Sequence, residues 1–176
     1  MTETQSLDLA SLIRDVPDFP KPGIVFKDIM PLLANGQALH QAVEELAEWA
    51  EPRKPDIVLG AEARGFITGG ALAERLGSGF VAARKPGKLP WRTVSAKYAL
   101  EYGSDALELH ADAIRKGQRV LVHDDVLATG GTSAAKCELV ERLGGEVVGV
   151  LFLIELDFLH GRERLGAHDV HSLITY

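Results

Sequence analysis

The chain has 176 residues, of which 46% are hydrophobic, and this suits a single domain, residues 1–176, with a sizeable core. Its formal charge of −6 and pI near 5.5 provide no overall positive field for nucleic acid or an anionic membrane. No apolar run approaches the ~20 residues of a membrane span, and the N-terminus lacks the features of a signal peptide. We therefore expect a cytoplasmic protein without nucleic-acid or membrane partners. The single cysteine, Cys137, excludes an internal disulfide and is expected to be a buried or half-buried helix residue.

The first part of the chain predicts two helices around an extended arm. Residues 8–16, "DLASLIRDV", have the pattern of a short amphipathic helix, which the three prolines of "PDFPKPG" would end. Residues 24–33, "IVFKDIMPLL", are expected to be extended. Residues 37–49 place Leu39, Val43 and Leu46 at helical spacing and predict a surface helix.

The remainder alternates between apolar strands and helices. "DIVLG" and "GFVAAR" predict strands around the helix "ARGFITGGALAERLG", and "QRVLVHD" and "EVVGVLFLIEL" predict strands around the helix that follows "GG" at 130–131. Continuous apolar strands of this kind are typical of a parallel sheet covered on both faces. The predicted fold class is therefore α/β.

A basic segment interrupts this alternation. Residues 84–98 are predicted to be a mobile loop, and "YALEYG" and "ALELH" suggest a hairpin flanking it. The loop carries no acid and five basic side chains, which are Arg84, Lys85, Lys88, Arg92 and Lys97. It is either a lid that closes over an anion or a solvated surface loop.

The most informative stretch is "VLVHDDVLATGGTSAAK", residues 120–136. Strand 119–123 would bring Asp124 and Asp125 to the carboxyl edge of the sheet, where ligands bind in such folds. The turn "ATGGT" and the helix start behind it can wrap a phosphate with backbone N–H groups. The two acids would then accept hydrogen bonds from the hydroxyls of a sugar phosphate. The alternative is a tight connection whose exposed acids cap the helix.

Competing motifs are absent from the sequence. It contains no G-x-x-x-x-G-K-[ST], no G-x-G-x-x-G and no G-x-S-x-G. The pair His123 and Asp124 could belong to a metal phosphohydrolase, but other metal-ligand histidines lack recognisable spacing. We interpret His123 as a core or sheet-edge histidine.

The stretch "VLVHDDVLATGGTSAA" resembles the signature of the type I phosphoribosyltransferase family, in which two acids precede the 5′-phosphate loop. "DFPKPGIVFKDIMPLL", "GAEARGF", "RKPGKLP" and "LEYG" are similar to the adenine-specific members, and the resemblance extends from about residue 16 to 176. It implies a central, mainly parallel sheet flanked by helices, an N-terminal hood over the base (1–36) and a flexible lid (84–98). The implied reaction transfers phosphoribosyl from phosphoribosyl diphosphate (PRPP) to adenine N9, giving AMP and pyrophosphate in purine salvage.

The resemblance also implies roles for residues around PRPP. Asp124 and Asp125 would hold the ribose hydroxyls, and the 5′-phosphate would be wrapped by Ala128, Thr129, Gly130, Gly131 and Thr132. Pyrophosphate would be met by Arg64, Arg84, Lys85 and Lys88, with a non-proline cis peptide near Glu62 and Ala63. Without a ligand role, Arg64 would be a helix-start residue facing solvent. Mg²⁺ would enter with PRPP, which supplies most of its ligands, so no protein metal site is expected.

On the base side, the resemblance implies that backbone groups of Val25 recognise adenine, while Phe26 and Val126 contact it or belong to the core. Lys27 stands where the family usually has arginine, which weakens stacking over the purine. Glu101 would act near purine N7 as the proton-sharing group, or else be a strand carboxylate facing water. The family implies a homodimer whose lid reaches the neighbouring subunit. The alternatives are a phosphoribosyltransferase for another base and a non-catalytic PRPP or nucleotide sensor.

Overall fold

The computed structural model describes residues 6–99 and 104–176. A five-stranded sheet forms its centre, in the order β4-β3-β7-β8-β9, and every neighbouring pair in it is parallel. These strands are Ile57–Ala61 (β3), Gly79–Ala83 (β4), Arg119–Leu127 (β7), Glu146–Glu155 (β8) and Val170–Thr175 (β9). The four α-helices are Met30–Ala34 (α1), Gly36–Ala50 (α2), Gly65–Leu76 (α3) and Gly131–Arg142 (α4). The predicted α/β architecture is confirmed.

Both faces of the sheet are covered, which explains its continuous apolar strands. Helices α2 and α3 pack on one face, where Leu46 and Leu72 meet Leu121 of β7. Helix α4 packs on the other face, where Leu139 is buried against Phe152 of β8. Burial of the strands on both sides removes the need for polar alternation.

Two antiparallel ribbons flank the carboxyl edge of this sheet. The first joins Arg14–Pro17 (β1) to Val25–Asp28 (β2); it lies within the segment 1–36 that was expected to be a hood, and we call it the hood. The second joins Thr93–Ala99 (β5) to Ser104–His110 (β6), which is the predicted hairpin. The described part of the chain contains no helix long and apolar enough to cross a membrane.

Local signals account for the ends of the helices. Asn35 caps α2, because its side-chain oxygen accepts from the backbone N–H of Gln37 and of Ala38, each at 3.1 Å. Gly77 ends α3 with φ of +65°, the left-handed conformation typical of a helix C-terminus.

Cys137 is buried in α4 as predicted, and burial raises the pKa of its thiol to about 12.

Several element predictions at the N-terminus and in the loop were wrong. Residues 8–16 form a short 3-10 helix, Leu9–Leu12, followed by β1, instead of an amphipathic α-helix. The arm at 24–33 is extended only in β2, since Pro31 occupies the first turn of α1, where its missing N–H costs nothing. The predicted loop 84–98 is shorter, because residues 93–98 already pair in β5.

Two strands also differ from their predictions. Strand β7 continues to Leu127, so Asp124 and Asp125 lie inside the strand and are largely buried. Strand β9 was not predicted, because its sequence "VHSLIT" mixes polar and apolar residues at the edge of the sheet. The edge position leaves these residues only half-buried.

Candidate active site

A cavity of about 340 Å³ lies at the carboxyl edge of the sheet, between the hood, the hairpin and the start of α4. Its walls come from β2, the segment after β3, β7 and the turn that follows β7. This is the edge at which parallel α/β sheets bind ligands. It contains most of the residues that the sequence predicted for the site, which are Val25, Phe26, Lys27, Arg64, Lys85, Asp124, Asp125, Val126, Ala128, Thr129, Gly130, Gly131 and Thr132.

The glycine-rich turn forms the floor of the cavity. Gly130 has φ of +79° and begins α4, and no side chain of the described residues caps the helix there. Its backbone packs directly on Gly161, where an added Cβ at either glycine would collide with a backbone carbonyl. The first N–H groups of α4 are thereby presented to the cavity, in the arrangement that binds anions.

The two adjacent acids of β7 have different surroundings. The Oδ1 atom of Asp124 accepts from the backbone N–H of Asp125 at 3.1 Å, and a Cβ at Gly65 would come within 2.5 Å of that oxygen. Asp124 is therefore held from several sides. Asp125 is also buried, and its Oδ2 has no hydrogen-bond partner among the described residues. Burial and the neighbouring Asp124 raise the pKa of Asp125 to about 6.

Each acid is approached by one cation from a helix. The Nζ of Lys136 in α4 lies 2.8 Å from Asp124 Oδ2 and also donates to the carbonyl of His123 at 2.7 Å. The Nε of Arg64, at the start of α3, lies 2.7 Å from Asp125 Oδ2, although without hydrogen-bond geometry. The side chain of Lys136 is completely buried, whereas that of Arg64 is 33% exposed.

His123 is a core residue, which agrees with its interpretation from the sequence as a core or sheet-edge histidine. It is fully buried and its Nε2 lies 2.7 Å from the hydroxyl of Thr68. Burial lowers the pKa of its imidazole to about 4, so it is neutral at physiological pH. It supports the strand and does not line the cavity.

The basic segment is anchored by an acid that precedes α3. Glu62 accepts from the backbone N–H of Lys85 at 2.6 Å and from the guanidinium of Arg84 at 2.9 Å. These donors hold the pKa of Glu62 below its ordinary value. The ammonium of Lys85 pairs with Asp105 of β6 at 3.1 Å. Lys85 and Glu62 line the cavity, while Arg84 and Lys88 lie outside its wall. The peptide between Glu62 and Ala63 is cis, as predicted.

The hood supplies an aromatic and a basic side chain. The guanidinium of Arg64 lies 4.9 Å from the centre of the Phe26 ring, and Phe19 packs edge-on against the same ring at 5.2 Å. Lys27 is held by Asp15 at 2.7 Å and lies over the ring of Tyr176, 3.7 Å from its centre. The last residue of the chain thus contacts the hood.

With this geometry described, comparison with known proteins decides the family. A family model of the phosphoribosyl transferase domain matches residues 32–174. The adenine phosphoribosyltransferase of Thermotoga maritima is 56% identical over 170 residues, covering 97% of this chain and 98% of the relative. That of Desulfitobacterium hafniense is 55% identical over 98% of this chain and 99% of the relative. This chain belongs to the adenine phosphoribosyltransferase family.

Solved structures of adenine phosphoribosyltransferases have the same fold. The enzyme of Thermoanaerobacter pseudethanolicus superimposes with a TM-score of 0.94 at 54% identity, covering 96% of this chain and 98% of its own. The Saccharomyces cerevisiae enzyme, complexed with D-2,5-dideoxy-2,5-imino-altritol 1,6-bisphosphate and adenine, gives 0.88 at 41% identity, covering 94% and 96%. The predicted type I phosphoribosyltransferase fold is confirmed.

Sequence reasoning missed some residues of this adenine phosphoribosyltransferase site. Lys136 was not singled out, although it lies four residues before the buried Val140 and so on the same helical face. Tyr98 lines the cavity, and nothing in its strand pattern indicated this. Glu101, the predicted proton-sharing residue, lies outside the described residues.

Proposed function

We propose that this enzyme transfers the 5-phosphoribosyl group of PRPP to N9 of adenine, forming AMP and pyrophosphate in purine salvage. The observation that carries the proposal is a single cavity that combines a helix start without a side-chain cap, a hood, and a buried carboxylate oxygen that pairs with Arg64 but accepts no hydrogen bond from the described residues. The helix start would bind the 5′-phosphate, the carboxylate the ribose hydroxyls, and the hood adenine. The high identity to adenine phosphoribosyltransferases over nearly the whole chain supports the same reaction.

The ribose 5-phosphate half of PRPP is assigned to β7 and the turn after it. The Oδ2 of Asp125 is a buried acceptor, and a ribose hydroxyl is the donor that would satisfy it. Asp124 lies beside it and receives the second hydroxyl. The backbone of residues 128–132, with the hydroxyls of Thr129 and Thr132, receives the 5′-phosphate at the positive end of α4.

The pyrophosphate of PRPP is assigned to the cations on the opposite wall. Arg64 and Lys85 line the cavity, and Glu62 holds Arg84 next to them. Lys88 belongs to the same basic segment and reaches pyrophosphate only if the segment moves inward. Positive charge here stabilises the negative charge that develops on the leaving group as the bond to C1′ breaks.

Adenine is assigned to the space beneath the hood. Phe26 presents an aromatic ring and Val126 an apolar side chain to the cavity. Backbone groups of Val25 offer an acceptor to the exocyclic amine and a donor to N1, a pattern that a 6-oxo purine would oppose. Lys27 adds a positive charge beside the base but lacks the planar surface of arginine.

The chemical step breaks the bond from C1′ to pyrophosphate and forms a bond from C1′ to N9. The ribose passes through an oxocarbenium-like state, and Glu101 shares the purine proton as N9 becomes nucleophilic. Glu101→Gln is expected to lower turnover more than PRPP affinity. Equal losses in both, or none in either, would count against this role.

Mg²⁺ would enter with PRPP, which would supply most of its ligands. Both cavity acids already face a cation, and within residues 6–99 and 104–176 no three His, Cys, Asp or Glu side chains come together. The ion would neutralise charge on the departing pyrophosphate.

We also propose a homodimer in which the basic segment of one subunit reaches the site of the other.

The test is nucleotide formation by the purified protein with PRPP and Mg²⁺, with adenine, hypoxanthine, guanine, xanthine and uracil offered separately. AMP from adenine alone is expected. Product from another base would overturn the assignment of specificity to the hood. PRPP binding without any product would instead indicate a sensor.

A further inference from the structure

Lys136 is one of the largest completely buried side chains in the described part of the chain, and the proposed reaction gives it no role. It lies in α4, between the apolar residues Ala135 and Cys137, where an ammonium group is costly to bury unless it is paired. Its Nζ reaches across to β7, to Asp124 Oδ2 at 2.8 Å and the His123 carbonyl at 2.7 Å. These two acceptors supply the pairing that a buried ammonium group requires, and one of them is an acid of the cavity wall.

These contacts leave Asp124 with little freedom. Lys136 holds one carboxylate oxygen, and the backbone N–H of Asp125 and the close approach of Gly65 fix the other. The carboxylate is only 12% exposed, and that exposed part belongs to the cavity wall. Its orientation toward a ligand is therefore set from behind by Lys136.

The charges around Asp124 explain why this cation is needed. Among the described residues, the cations that pair with the two acids come from helices α3 and α4. Strand β8 provides no charge here, since the residue beside Asp124 in the sheet is the apolar Phe152. The groups that face Asp124 are Asp125, His123, Arg64 and Lys136. His123 is neutral, and Arg64 lies on Asp125. Without Lys136, Asp124 would be a buried carboxylate beside a second one, with no cation of its own to pair with.

We propose that Lys136 is a positioning residue that holds the Asp124 carboxylate aimed at the ribose hydroxyls of PRPP. The identity of the ligand rests on the proposed function, but the role of Lys136 concerns PRPP affinity and not the acceptor base. A reoriented Asp124 would lose its charge-assisted hydrogen bond to the ribose. The defect should therefore fall on a ligand that carries ribose hydroxyls and spare one that does not, whereas a defect of packing alone would not distinguish the two ligands.

The experiment compares the binding of PRPP, and of pyrophosphate alone, to the full chain and to its Lys136→Met and Lys116→Met variants by titration calorimetry. Lys116 is exposed and serves as the matched control. For Lys136→Met we expect PRPP affinity at least ~10-fold below wild type, because one charge-assisted hydrogen bond is lost. The affinity for pyrophosphate, which has no ribose hydroxyls to meet Asp124, should stay within about 3-fold of wild type. Unchanged PRPP affinity, or an equal loss for pyrophosphate, would overturn the proposal.

A second variant covers the case in which Lys136→Met does not fold. Asp124→Asn combined with Lys136→Met removes both charges, so it should fold and melt at a higher temperature than Lys136→Met alone. If the double variant is no more stable than the single one, Lys136 is not matched to Asp124 and the proposal fails. Wild-type AMP formation is measured in parallel. If wild type binds PRPP but makes no AMP, the proposed reaction fails, while the calorimetry still decides the role of Lys136.

Discussion

Asp125→Asn is expected to make the protein more stable at neutral pH while weakening its substrate binding. Asp125 is 7% exposed, and burial with the adjacent Asp124 raises its pKa from 3.8 to about 6. At about 1.4 kcal/mol per unit, ionising it in the folded protein costs roughly 3 kcal/mol. Because the folded pKa is raised, the stability that the protonated acid contributes is complete below about pH 4 and is lost as the pH rises through about 6.

Urea unfolding of wild type and Asp125→Asn at pH 4, 5, 6, 7 and 8 measures this directly. The stability of Asp125→Asn relative to wild type should increase by up to about 3 kcal/mol from pH 4 to pH 7 and then remain constant. PRPP should bind roughly 10- to 100-fold more weakly, because charge-assisted hydrogen bonds are lost. The exposed Asp112→Asn is the control. A stability difference that does not change with pH would refute the reasoning.

Three further substitutions test the walls of the cavity. Gly161→Ala places a Cβ against the backbone of Ala128 and should raise the KM for PRPP roughly 10-fold by displacing the turn, with the KM for adenine unchanged; an equal rise in both would contradict this. Lys27→Arg should lower the KM for adenine a few-fold in steady-state assays, since a planar guanidinium stacks on a purine; a higher KM would refute the assignment. Glu62→Gln weakens the hydrogen bond from the Lys85 backbone N–H and should raise the KM for pyrophosphate roughly 10-fold in the reverse reaction. An unchanged KM would show that this hydrogen bond does not position Lys85 for pyrophosphate.

The sequence predicted the parts of this site that depend on local pattern. Helix α3 and strand β8 follow from apolar periodicity and length, and the turn at 128–132 follows from two glycines before a helix. Pro31 was interpreted as part of an extended arm, although proline is also favoured in the first turn of a helix. Both interpretations satisfy the local chemistry, so only packing of Leu32 in the core decides between them.

The partners of the two acids could not be predicted in the same way. Lys136 is 12 residues from Asp124 along the chain, and Arg64 is far from Asp125 on another helix. Their proximity depends on how α3 and α4 pack against the sheet, which no window of sequence contains. A lysine on the apolar face of α4 was the one available signal.

Two acids can lie next to an anion site because each is matched by a cation from a separate helix. Lys136 approaches Asp124 from α4, and Arg64 approaches Asp125 from α3. The four groups together are nearly neutral, so they oppose the binding of a phosphate much less than two free carboxylates would. The two cations differ in burial, since the side chain of Lys136 is completely buried and that of Arg64 is partly exposed. Under the proposed function, Arg64 would exchange Asp125 for pyrophosphate when ribose hydroxyls replace it on the acid, and the enclosed Lys136 would stay with Asp124.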